Sequence, residues 1–365
     1  MKKFLFLIFI SLSLSLFAQE PSGYYNTAEG KANNALRLSL QNIISSHTNV
    51  GYGGLWTVYE TSDVTATGKV WDMYSTCTWN IGQKHCGNYS IVCDCINREH
   101  SLPKSWWGGS ENDMYSDAFH LYPTDGKVNG QRSNFPFGEC ANGESLGSNA
   151  LGRLGNSTFS GYSNVGTVFE PDDEYKGDFA RSYFYMATCY ADKNFASGNG
   201  SKVFSYSGSG NPKCNLTAYA VALFLKWGRE DLVSQKEIDR NNAIYNHQYN
   251  RNPFIDHPEL AEHIWGNKKN DVWYANSSSA IDETEVSKFA IYPNPAISEL
   301  KIIPIAIGTE LKENEDVEIF DITGTKINNC QFSILNSQFS INVSDLSSGI
   351  YIIKINNFIG KFIKK

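Results

Sequence analysis

No interior stretch of this 365-residue chain approaches the ~18 consecutive apolar residues that a membrane-spanning helix needs, so an integral membrane protein is not expected in the mature form. Basic charge is scarce: 31 Lys and Arg stand against 38 Asp and Glu, a formal net charge of −7. That balance argues against a protein that coats nucleic acid by bulk electrostatics, and leaves room only for a local phosphate-binding patch. The cysteines show no C-x₂₋₄-C pair of the kind found in zinc knuckles; the tightest spacing is Cys93-x-Cys95. No internal repeat is present. With 41% hydrophobic residues the chain is too apolar to be disordered, and its length suggests two or three domains.

The ends differ from the middle. Lys2 and Lys3 followed by the apolar run Phe4 to Phe17 and the small Ala18 read as a secretory signal peptide over residues 1–18. Export would carry the eight cysteines into a compartment where disulfides persist. Seven of them lie between Cys77 and Cys214, so at least one thiol there is unpaired or pairs elsewhere. Residues 276–287 read as a linker, opening on Asn-Ser-Ser-Ser-Ala. Beyond it the pattern turns to short β-rich runs, Leu300 to Ile303, Val317 to Phe320, Phe339 to Val343 and Gly349 to Ile355, which predict a small all-β sandwich over 288–365.

The region 19–275 reads as α+β with long loops. Leu36, Leu40, Ile43 and Ile44 mark one helix face. Phe179, Tyr183, Met186, Ala187 and Tyr190 mark another, with Asp178 as the expected N-cap. A third face runs through Ala220, Leu223, Phe224 and Trp227. Ser234-x-x-Glu237 is a capping-box pattern, and its helix should end before Pro253. The Gly-, Ser- and Asn-rich stretch between Gly138 and Gly166 suggests a long surface loop.

Chemistry-bearing residues concentrate in Arg98-Glu99-His100-Ser101-Leu102-Pro103-Lys104 and in the segment from Asp117 to Asn134. If a strand persists to His100, then Arg98 and His100 share one face and Glu99 points to the other. A short strand around Phe119 to Tyr122, a turn at Pro123 to Gly126 and a following helix would place Asn129, Arg132 and Ser133 on one helix face. Two strands and a helix offering an imidazole, a carboxylate and an amide oxygen can hold one hard divalent cation with open water positions. The bland alternatives are a surface Glu-His pair, a core His120 and an Asn129-Gly130 turn.

Glu99-His100 followed by Pro103, then His120-Leu121-x-Pro123 and Val128-Asn129-Gly130-x-Arg132-x-Asn134, resembles the endonuclease I family of ββα-metal (His-Me finger) nucleases. Phe169-Glu170-Pro171, the Lys176 to Met186 segment and Asn250 to Glu259 resemble it as well. The resemblance implies a ββα-metal core with surrounding helices. His100 would be the general base, Glu99 and Asn129 the metal ligands, and His120 a supporting residue. Lys104, Arg132 and Arg181 would compete for the scissile phosphate, because the arginine that some relatives carry between the two segments is absent here. It further implies Mg²⁺, or Ca²⁺ or Mn²⁺, as cofactor, and DNA or RNA cut to 5′-phosphate and 3′-hydroxyl ends by a monomer. Tyr292-Pro293-Asn294-Pro295, Asp321-Ile322-Thr323-Gly324 and Leu346 to Tyr351 in that order resemble the C-terminal sorting domain of the type IX secretion system, implying passage through that machinery to the cell surface or beyond. Two rival functions remain at this stage: a non-catalytic extracellular binding or adhesion protein, and a metallohydrolase of small phosphodiesters.

Overall fold

The computed structural model describes residues 20–275, 289–304, 317–321, 325–327, 332–335, 338–355 and 358–365. The signal peptide, the linker and Cys330 therefore lie outside the described residues. The chain divides into two compact units, Met1–Ala275 and Asn276–Lys365, and none of the described helices is long and apolar enough to cross a membrane.

The first unit mixes helices with short strands. Its axis is α4 (Lys176–Cys189), of which every residue but Lys176 is buried. Helices α1 (Asn33–Ile44) and α5 (Ala218–Glu230) pack on it through the apolar stripes read from the sequence. Asp178 does not cap α4. It lies inside the first turn, and its carboxylate takes the Lys236 ammonium at 2.7 Å. The capping box of α6 (Gln235–Gln248) is formed, with Ser234 and Glu237 answering each other. Pro253 opens a short helix, Pro253–Asp256, where its missing N–H costs nothing.

Two elements depart from the sequence reading. Helix α2 (Gly51–Ser62) has three glycines and weak periodicity, and so carried no signal. It packs on α6, and Asp63 at its C-terminal end meets Arg240 of α6 at 2.9 Å; the same guanidinium holds the carbonyls of Ala118 and Leu121. The stretch read as a long loop instead carries a small sheet of Glu144–Ser145, Arg153–Asn156 and Thr167–Glu170. The Gly- and Ser-rich composition hid these short strands because they have little side-chain alternation.

The disulfides are Cys77–Cys93 and Cys86–Cys95, while Cys140, Cys189 and Cys214 are buried free thiols. Cys93 and Cys95 thus serve as cross-links rather than zinc ligands. Both bridges lie just ahead of β1 (Ile96–His100), which pairs antiparallel with β2 (Leu121–Asp125), His100 opposite Leu121 and Ile96 opposite Asp125. Strand β2 runs directly into α3 (Gly126–Arg132).

The second unit is all-β. One sheet orders Lys326–Ile327, Val317–Asp321, Gly349–Ile355 and Phe358–Lys364; the other orders Phe332–Leu335, Gln338–Asn342, Glu299–Pro304 and Phe289–Tyr292. A single apolar core including Leu300, Ile302, Ile341, Ile319, Ile353 and Phe362 joins them. Asn294 of the opening motif secures the last strand, accepting from the Ile363 N–H at 2.9 Å and donating to the Lys361 carbonyl.

Candidate active site

The β1–β2–α3 unit is locked at its start by Asp125. One carboxylate oxygen caps α3 through the Val128 N–H at 2.9 Å, and the other takes the Cys93 N–H at 2.7 Å. Helix α3 then lies close against Tyr89 of the disulfide-bonded segment. A Cβ at Gly130 would meet the Tyr89 hydroxyl at 2.0 Å, so the approach requires glycine there.

Strand alternation sorts β1 into two faces. Asn97 and Glu99 turn toward α3, where the Asn129 amide donates to Asn97 Oδ1 at 2.7 Å and Arg132 meets Glu99 Oε1 at 3.0 Å. Arg98 and His100 turn the other way. Tyr74 also donates to Glu99 Oε1, at 2.9 Å. Glu99 Oε2 and Asn129 Oδ1 accept nothing from the described residues, yet neither is among the sealed-off orphan atoms, so both reach solvent. Burial pushes the Glu99 carboxyl up to about 7, against the opposing pull of Arg132 and the Tyr74 hydrogen bond.

His100 sits among Tyr52, Trp107, Tyr115 and His120, its ring stacked 5.7 Å from that of Tyr52. Its Nε2 is 3.0 Å from the Tyr115 carbonyl oxygen. A carbonyl only accepts, so Nε2 carries the proton and Nδ1 keeps a lone pair. Nδ1 has no partner among the described residues and also reaches solvent. Burial, then the neighbouring His120, hold the imidazole well below its ordinary value against the Tyr115 hydrogen bond, with Lys104 and Arg98 adding to the depression. The ring is neutral near pH 7.

His120 is fully buried, and its Nε2 is 2.6 Å from the Met114 carbonyl oxygen. Burial lowers it to about 4 despite the nearby Asp117. Its ring centroid is 5.6 Å from that of His100. Lys104 is exposed, with Nζ 3.4 Å from the Tyr115 hydroxyl.

Arg132 and Arg181 do not fit the phosphate-holding role expected of them. Arg132 is fully buried and directs its donors to Glu99 and to the carbonyls of His100 and Ser101. Arg181 is buried and forked onto Glu237, with its third nitrogen on the Asp231 carbonyl. The Arg132 Nε has no partner but is sealed from solvent, and the other nitrogens of both guanidiniums bond protein oxygens, so neither presents a free fork to a substrate phosphate.

The ligand atoms of His47, Asp117 and Cys189 lie within 4.8 Å of one another, a second group of metal-binding residue types. Its carboxylate is already saturated. Asp117 accepts from Tyr185 and Tyr190 at 2.8 Å each, from Gln248 at 3.1 Å and from the Phe119 N–H at 3.0 Å. The group is a hydrogen-bonded hub behind the site.

Sequence reasoning missed Asn97, Tyr74 and the Tyr115 carbonyl. Period-two alternation would have found Asn97, which shares a face with Glu99. Nothing local announces Tyr74, 25 residues upstream of Glu99, or a main-chain oxygen on a short 3₁₀ turn.

A family model described as Endonuclease I matches residues 32–259, and one for a secretion system C-terminal sorting domain matches 290–365. The chain is 37% identical over 253 residues to the extracellular ribonuclease of Bacillus amyloliquefaciens, covering 66% of this chain and 78% of that protein. It is 33% identical over 256 residues to the extracellular ribonuclease of Bacillus subtilis (strain 168), with the same coverage. Against the extracellular deoxyribonuclease of Aeromonas hydrophila it is 28% identical over 145 residues, 40% of this chain and 50% of that one.

Proposed function

This chain belongs to the endonuclease I family and is a secreted or cell-surface nuclease, and from that premise we propose that it hydrolyses RNA and DNA through a His100 general base and one divalent cation held by Glu99 and Asn129. The observation that carries this reading is the set of three reactive atoms left without protein partners yet open to solvent: His100 Nδ1, Glu99 Oε2 and Asn129 Oδ1. Glu99 and Asn129 lie on the α3 side of β1 and His100 on its other face at the last residue of the strand, so this reading has the scissile phosphate straddle the strand's end.

The neutral His100 ring can take a proton from water at Nδ1 while Nε2 stays anchored on the Tyr115 carbonyl. A phosphodiester repels anionic nucleophiles, so a neutral base suits the task. The second Glu99 oxygen is fixed by Tyr74 and Arg132, which aims Oε2; Asn97 fixes which end of the Asn129 amide faces outward. One carboxylate and one amide oxygen form a hard donor set that fits Mg²⁺, Ca²⁺ or Mn²⁺ better than Zn²⁺. When bound, such an ion supplies positive charge to the phosphate oxygens and the departing 3′ oxygen, which leaves a 5′-phosphate. RNA stands beside DNA because the two Bacillus relatives, aligned over two thirds of the chain, are ribonucleases. The small number of basic residues leaves few side chains for base readout beyond those that hold phosphate, and hence little sequence preference.

The test is cleavage of plasmid DNA and of total RNA by the purified protein with Mg²⁺, Mn²⁺ or Ca²⁺, with and without EDTA. His100→Ala should lower kcat by about 10²–10⁴ with substrate binding retained. Both polymers left intact with every cation would refute the reading; cleavage unaffected by EDTA would remove the metal from it. Preference for a small chromogenic phosphodiester over either polymer would favour the rival metallohydrolase.

A further inference from the structure

We propose that Arg98 grips the substrate's sugar-phosphate backbone at a phosphate next to the one attacked, an assignment that rests on the nuclease reading above. Arg98 and His100 lie on one face of β1, two residues and so about 7 Å apart. That span is comparable with the step between neighbouring phosphates of a single strand.

The guanidinium is unusual in what it lacks. Among the described residues Arg132, Arg153, Arg181, Arg229, Arg240 and Arg251 each have a carboxylate within 4.0 Å. Arg37 is fully buried and bonded to Asn215 and two carbonyls. Arg98 is half-buried and has no such acid. Its carbon rests 3.5 Å from the centroid of the Tyr52 ring and 5.0 Å from that of Trp56. One of its nitrogens, NH1, donates to the Tyr52 carbonyl, and among the described residues no hydrogen bond from Nε or NH2 is found. An aromatic rest of this kind holds the planar fork in place without neutralising it, which keeps both the charge and a pair of donors for an anion.

The arrangement is echoed on the adjoining ring, that of Tyr115, whose centroid is 4.8 Å from that of Tyr52. Lys104 holds its ammonium 5.3 Å from the centroid of the Tyr115 ring, again with no carboxylate within 4.0 Å among the described residues. The two rings that carry these cations both pack against His100, with centroids 5.7 and 5.1 Å from its own. In a chain with net charge −7, two cations without a carboxylate partner among the described residues, resting on the two rings beside the proposed base, form the local patch that phosphate recognition requires.

The experiment compares wild type, Arg98→Gln and Arg98→Lys on fluorogenic DNA and RNA oligonucleotides with Mg²⁺ over a range of NaCl. Arg98→Gln should raise KM about tenfold, leave kcat within about threefold, and reduce the slope of log KM against log salt by about 1; Arg98→Lys should keep the wild-type slope. An Arg98→Gln protein of unchanged melting temperature with wild-type KM and salt slope overturns the proposal. Should Arg98→Gln not fold, phenylglyoxal labelling of the wild type in EDTA decides: an oligonucleotide must protect Arg98, and unchanged labelling overturns the assignment. A wild type that cuts neither polymer refutes the nuclease reading itself, a result distinct from either outcome at Arg98.

Discussion

The interior of the first unit is wired with charge, and that of the second is not. Asp63–Arg240, Glu99–Arg132 and Glu237–Arg181 are ion pairs whose side chains are nearly all hidden from solvent. In the sorting unit the buried described residues are apolar apart from Lys364, near its terminus. Buried ion pairs add little net stability over well-packed apolar groups, but breaking one is costly. Of these pairs, Glu99–Arg132 fixes one oxygen of the carboxylate proposed to hold the cation. A delivery module that has only to be recognised can be built from an apolar core alone.

The sharpest way to break this contrast is Arg240→Leu. It strands Asp63 and frees the carbonyls of Ala118 and Leu121, and should destabilise the first unit by about 3–5 kcal/mol in urea unfolding. A loss below about 1 kcal/mol would mean that the buried pairs there are dispensable. Ile353→Ala in the fully buried core of the second unit should cost about 2–4 kcal/mol by the same method while nucleolytic kcat stays at the wild-type level. A fall in kcat would show the two interiors to be coupled. Asn97→Ala should weaken Mg²⁺ or Mn²⁺ binding about 10–100-fold, read by calorimetry, with little change in melting temperature. The reverse pattern would make Asn97 a folding residue.

The smallest effect concerns pH. His257 faces Glu20 at 2.9 Å and Glu259 at 3.4 Å, enclosed by the rings of Tyr25 and Trp273. Burial acts downward, but the two acids raise it from 6.5 to about 9. A raised folded-state value means stabilisation that is complete below pH 6.5 and lost as the pH climbs through 9. The first unit should lose about 1–2 kcal/mol between pH 6 and pH 9.5, and His257→Gln should flatten that slope. An equally steep slope in the variant would exclude His257 as its source.

The two units were also unequally legible. Strand positions in the second follow from alternation such as Ile341 and Val343, because each sheet has one wet and one dry face. In the first, α1, α4 and α5 follow from period and α6 from its capping box, and the proposed site residues Glu99, His100 and Asn129 from motif order. What fixes their chemistry was not readable. Arg132 looked like a substrate ligand because a sequence does not say which acid, 33 residues away, will meet a cation. Nor does a sequence say that Arg98 will lie on Tyr52, 46 residues upstream. Such pairings are decided by tertiary packing, and α2, which supplies Tyr52, had no pattern to announce it.

Arg132 touches the carboxylate of residue 99, the carbonyl of residue 100 and the carbonyl of residue 101 with one rigid plane. The acid and the imidazole are thereby mounted on a common bracket. Thermal jitter or a small mutation nearby displaces both together, so the gap between them holds its tolerance even when the absolute position of either one wanders.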